Sequence, residues 1–176
     1  MTATKKMSTK TLAATALFIA LSLVGAHIKI FGTIAFDSLP GFLAALLLGP
    51  AYGAAIGFLG HLFTALTSGL PLSIPIHTVI AITMAITMFG FGITYKTLRN
   101  KIPHTANYAI TATVGTILNG PVSLAFSMGT TALIAGREAA WGLLAILPIL
   151  VLGSVANIAV SIILFISIEK VWDKTR

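Results

Sequence analysis

Cysteine is absent from this chain, and acidic side chains number only four among 176 residues. The first absence excludes disulfides and Cys-ligated metals, and it carries no information about compartment. The second leaves Asp37, Glu138, Glu169 and Asp173 as the whole acidic complement. No two of them fall inside one apolar run, so the intramembrane carboxylate pair of proton-coupled chemistry is missing. No Gly-Lys pair occurs anywhere, which excludes a GxxxxGK[ST] phosphate cradle and with it ATP binding of that type. HExxH and GxSxG are also missing, so neither a zinc protease nor a serine hydrolase is indicated. Charged residues make up 9% of the chain, against roughly a quarter in soluble domains. A soluble globular surface cannot be built from this composition.

What the chain does contain is apolar sequence, 57% of all residues, with a mean hydropathy of +1.01. Its basic residues are gathered at three places: Lys5, Lys6 and Lys10; Lys96, Arg99 and Lys101; Lys170, Lys174 and Arg176. Only Lys29 and Arg137 stand apart. Positive flanks resist translocation, so the three clusters place both termini and the central loop in the cytoplasm. The excess positive charge is therefore juxtamembrane, and no aromatic-interleaved basic patch for nucleic acid is present. Thr11–Ile28 follows three lysines as a signal peptide would, but no small-x-small site leads into a polar chain, so it reads as a retained helix.

Glycine, proline and charge divide the chain into an all-α membrane domain of six transmembrane helices. The expected spans are about 11–28, 37–48, 51–68, 73–95, 105–130 and 140–168. Asp37-Ser38-Leu39-Pro40 reads as a helix start with Asp37 as N-cap. The second helix, at about a dozen residues, is short for a bilayer. Six crossings return the chain to its starting side, in agreement with the charge count.

Polar residues gather at one depth. His61 and Thr64 in the third helix, and Asn119, Ser123 and Ser127 in the fifth, form stripes in the outer half. His27, Asp37, His77 and Trp141 fall at similar height, whereas Asn157 falls toward the cytoplasmic half. Each has a plainer reading: Asp37 as a cap, Trp141 as an interfacial aromatic, the serines as packing residues, His61 as an interhelical hydrogen-bonding group. Convergence in one leaflet favours an outward-facing pocket, since packing alone requires no common depth. With no basic cluster to clamp a phosphate, its ligand is expected to be near-neutral, with rings that Phe31, Phe36, Phe126 or Trp141 can stack. Three histidines on three helices offer no metal-ligand spacing, so neither metal nor other cofactor is expected.

Small residues supply the other signal. Ala13, Ala16 and Ala20 share a face of the first helix, and Gly53, Gly57 and Gly60 line the third. Such stripes permit close helix approach, either within the chain or to a partner.

Taken together, Ala16-x-x-x-Ala20 after a basic N-terminus, Phe36-Asp37-Ser38-Leu39-Pro40, and Leu48-Gly49-Pro50 followed by Gly53 and Gly57 resemble the substrate-binding S components of energy-coupling factor (ECF) vitamin transporters. The resemblance implies six helices around a vitamin site near the outer face, gated by the first loop. It also implies that the alanine face of the first helix docks on a membrane coupling protein driven by two ATPases. Gly60-His61-Leu62-Phe63-Thr64-Ala65-Leu66-Thr67-Ser68-Gly69, with Pro75-Ile76-His77, is similar to the subgroup assigned to cobalamin precursors, whose ligand is α-ribazole. The expectation is thus a non-enzymatic, multi-pass subunit of the cell membrane that captures substrate for an ATP-driven importer. A membrane scaffold or assembly subunit without a ligand is the alternative, and a membrane enzyme comes third.

Overall fold

The computed structural model describes residues 8–30 and 34–174. Helix α1, Thr9–His27, opens on Ser8, whose hydroxyl accepts the Thr11 N–H at 3.1 Å. A short antiparallel pair follows, β1 Lys29–Ile30 against β2 Ile34–Ala35. Three helices come next: α2 Leu39–Leu47, α3 Pro50–Thr67 and α4 Ile74–Leu98. The fifth helical body joins α5 His104–Ile117, a π turn Leu118–Val122 and α6 Ser123–Ala135. The sixth joins α7 Arg137–Gly142, a 3-10 turn Leu143–Ile146 and α8 Leu147–Lys174. Four stretches, Thr9–His27, Ile74–Leu98, His104–Ala135 and Arg137–Trp172, are long and apolar enough to cross a bilayer by themselves. The chain is a six-helix, all-α membrane protein.

Helix α2 sits at the centre. Its sequence LPGFLAALL has no polar face, and a helix apolar all round must be surrounded by protein. Pro40 through Leu47 are accordingly buried, against α1, α3, α4 and α8. Phe42 packs edge-on to Phe91 of α4, with ring centres 4.9 Å apart. Nine residues span only about 14 Å, half of a ~30 Å hydrocarbon core. The segment before α2 packs on α1, where the Phe36 N–H donates to the Gly25 carbonyl at 3.0 Å. Asn157 of α8 donates to the Ala35 carbonyl at 2.9 Å, and the Ser161 hydroxyl shares its proton between the Leu39 and Asn157 carbonyls, at 3.0 and 2.7 Å. Helix α2 therefore starts near the middle of the membrane.

This corrects the sequence reading in two respects. The N-cap position belongs to Ser38, with no side-chain capping bond, so Asp37 is not a plain cap. Asn157, expected toward the cytoplasmic half, stands about 18 Å along α8 from Glu169 and bonds the Ala35 backbone, two residues before Asp37.

The glycine stripe of α3 is used inside the chain. A Cβ at Gly53 would stand 2.5 Å from the Ala45 Cβ, one at Gly57 would stand 2.8 Å from Met88, and one at Gly60 would stand 2.9 Å from Ser22. The three glycines thus seat α3 against α2, α4 and α1 in turn. The fifth body runs to Ala135 rather than to about 130, and the Thr130 and Thr131 hydroxyls bond back to the Phe126 and Ser127 carbonyls, which satisfies them inside the apolar helix. Gly136, at φ +89°, makes the turn into α7. At the cytoplasmic end Arg99 pairs with Glu169, fastening α4 to α8.

Candidate functional site

A cavity of about 250 Å³ opens among the outer halves of these helices. Asp37 and Ser38 come from the loop ahead of α2, His61 from α3, Leu72 from the α3–α4 loop, and His77, Ile80 and Met84 from α4. Asn119 stands on the π turn, Ser123, Leu124 and Ser127 on α6, and Leu143, Ile146 and Leu150 close the remaining side. Leu72 marks the outer rim. Met84 lies ten residues down α4 from Ile74, about 15 Å deep, so the cavity extends roughly to the bilayer midplane.

Six of the residues singled out from sequence therefore meet at one cavity: Asp37, His61, His77, Asn119, Ser123 and Ser127. Four others, His27, Phe36, Thr64 and Trp141, do not line it. His27 is exposed and donates from Nδ1 to the Leu23 carbonyl of its own helix at 2.9 Å. Trp141 is 65% exposed on α7, outside the cavity, as expected of an interfacial aromatic. Phe36 is half-buried without lining the cavity, and Phe31 lies outside the described residues. Thr64 is half-buried one turn above His61, outside the lining, and its buried hydroxyl has no partner among the described residues. Phe126, also expected to stack a ring, points away at 57% exposure. The walls available to a ring are instead aliphatic, with Ile80, Met84, Leu124 and Leu150 among them. Sequence could not single these out, since a cavity-facing leucine and a lipid-facing leucine give the same hydropathy.

The hydrogen bonds fix what each polar group can offer. The Leu72 N–H donates to His77 Nε2 at 3.4 Å, so the His77 proton resides on Nδ1. That Nδ1–H donates to His61 Nε2 at 3.2 Å. His61 is thereby left with its proton on Nδ1, a donor with no partner among the described residues. The rings lie tilted, with centres 5.4 Å apart. Ser123 shares a bond with Thr83 at 2.8 Å, and Ser127 donates to the Ser123 carbonyl at 2.9 Å, so both hydroxyls are already engaged. Asn119 donates to the Ser154 hydroxyl at 2.8 Å, and its amide oxygen and second N–H have no partner among the described residues.

The π turn explains why Asn119 is presented. Pro121 inside the helix cannot donate a backbone bond, and the chain accommodates it by widening to a π turn, a device common at functional sites. The cavity thus offers a donor at His61, a two-way amide at Asn119 and a carboxyl at Asp37, all set in aliphatic surroundings. No Lys or Arg lines it among the described residues.

Asn157 supports the floor. Its amide holds both the Ala35 and Gly153 carbonyls, at 2.9 and 2.8 Å. Asn157→Ala should loosen the segment before α2, raising amide hydrogen exchange at residues 34–38 by about 2- to 10-fold, the equivalent of one lost hydrogen bond. Unchanged exchange there would show that the segment is held by packing alone.

A family model described as ECF transporter, substrate-specific component, matches residues 10–171. No curated protein matches the chain.

Proposed function

The chain belongs to the family of ECF transporter substrate-specific components, and from that premise we propose that its outer cavity captures α-ribazole for an ATP-driven importer. A substrate-specific component is a substrate-binding subunit of a transporter in the membrane, so the fitting question is which ligand this cavity accepts. The observation that carries the proposal is the pairing of a fixed His61 Nδ1–H donor with the Asn119 amide in a cavity that has no cationic side chain among its described lining.

A phosphorylated vitamin needs a cationic clamp, which this lining does not supply. A neutral benzimidazole nucleoside offers what matches: a ring nitrogen to accept from His61, ribose hydroxyls for Asn119 and the Asp37 carboxyl, and flat apolar faces for Ile80 and Met84. The cavity, at about 250 Å³, lies just below the span of roughly 300 to 1,000 Å³ usual for ligand pockets. A compact ligand suits it.

Transport is assigned to the assembly. The chain has no phosphate loop, so energy must come from ATPase subunits through a membrane coupling protein. On α1, Ala13, Ala16 and Ala20 are exposed, opposite the buried face of Phe18, Ser22 and Gly25. That leaves the alanine face for the coupling protein.

The ligand assignment is tested by calorimetric titration of the purified chain, without nucleotide, against α-ribazole, its 5′-phosphate and a panel of vitamins. The expected order is α-ribazole first, with the phosphate at least 10-fold weaker, because a dianion would enter a cavity with no counter-charge. A tighter-binding phosphate or another panel member would overturn the ligand assignment.

A further inference from the structure

We propose that the groove between α5 and α8 is a binding site for one anionic glycerophospholipid of the cytoplasmic leaflet, acyl chain in the groove and headgroup at the basic cluster below it. The groove has a volume of about 570 Å³ and lies on the lipid-facing side of the bundle, separate from the outer cavity. Tyr108, Ala112 and Thr116 form one wall and Val155, Ala159 and Ile163 the other. Small residues at Ala112 and Ala159 keep it open, and buried Ile158 forms its base.

Length and position point to a lipid tail. From Tyr108 to Ile117 the groove extends nine residues along α5, about 14 Å, which matches the ~15 Å depth of one leaflet's hydrocarbon. It occupies the cytoplasmic half, since α5 rises from the central basic loop.

Charge at the lower mouth then selects the headgroup. Tyr108 lines the groove and also stacks on His104 and on Tyr95, with ring centres 6.4 and 5.9 Å apart, while the Arg99 guanidinium lies over Tyr95. Tyr108 thus links the lower end of the groove to Tyr95 and Arg99 at the end of α4, with Lys101 two residues further along the chain. Arg99 is paired with Glu169, whereas Lys101 and Lys170 are exposed. Lys170 lies seven residues beyond Ile163, two turns lower on the same helical face. Basic pockets between helices on the cytoplasmic side are suited to anionic headgroups, and each lysine near the surface contributes about 5-fold in affinity.

Native mass spectrometry of the full chain, purified with equimolar phosphatidylglycerol and phosphatidylcholine, tests this. Phosphatidylglycerol should be retained preferentially. Lys101→Gln with Lys170→Gln should lower its occupancy on the order of 25-fold while leaving phosphatidylcholine unchanged. Both lysines are exposed, and Lys96, Arg99 and Lys174 remain in their clusters to hold the orientation of the chain. Ala159→Trp, which fills the groove, should lower retention of both lipids. Equal retention of the two lipids by the wild type, or a preference that survives the double lysine change, would overturn the proposal. So would an Ala159→Trp chain that keeps its lipid but no longer assembles with the coupling protein, since the groove would then be a protein contact.

Discussion

Ala16→Leu or Ala20→Leu should abolish uptake by the assembled transporter while leaving ligand affinity within about 2-fold of the wild type. Both alanines are exposed on α1, so a leucine meets no neighbour within the chain and the fold is retained. Against a partner helix the effect is large, because close packing in a membrane rests on van der Waals contact between small residues and tolerates no added branch. The cavity is lined from other elements and has no α1 residue among its described lining. Uptake in reconstituted vesicles and ligand titration on the same preparations separate the two effects. Loss of ligand binding with the complex still assembled would show that this face does not dock the coupling protein.

The second large effect belongs to the cavity. His61→Ala removes a donor, and Asn119→Ala an amide with two hydrogen-bonding positions, that have no partner among the described residues. Each should weaken α-ribazole by roughly 1–3 kcal/mol, or about 5- to 150-fold, since the ligand group left behind would be buried without a partner. His77→Ala provides the internal control. It deletes the donor to His61 Nε2, so His61 is free to take either tautomer, and the loss should be smaller than for His61→Ala. Equal affinity across wild type, His61→Ala and Asn119→Ala would remove both residues from the site.

Much of this arrangement is legible in the sequence, and the reasons are physical. Basic residues cannot enter the bilayer cheaply, so their clusters mark the cytoplasmic ends, and glycine and proline mark the turns between helices. Polar residues inside an apolar helix are costly, so His61, His77, Asn119, Ser123 and Ser127 stand out, and all five line one cavity. Asp37 joins them from the loop.

Three features were hidden. Asn157 and Ser161 act on backbone carbonyls 122 residues earlier in the chain, a pairing that no local pattern encodes. Helix α2 is only nine residues long, and hydropathy does not distinguish a short helix buried at the centre of the bundle from a short spanning one. Aromatic residues mislead in the opposite direction: Phe126 and Trp141 have the chemistry to stack a ring, yet their exposure turns them away from the cavity.

By itself this chain is expected to hold a ring-bearing, near-neutral ligand in the cavity beneath Leu72. Mass spectrometry of small molecules co-purifying with the full chain, extracted in detergent without nucleotide, tests it most directly when wild type and Asn119→Leu are compared side by side. About one α-ribazole-like molecule per wild-type chain, strongly depleted from Asn119→Leu, is the predicted result. The same compound at equal amounts in both preparations, or no ligand in the wild type together with no binding of any added vitamin, would contradict it.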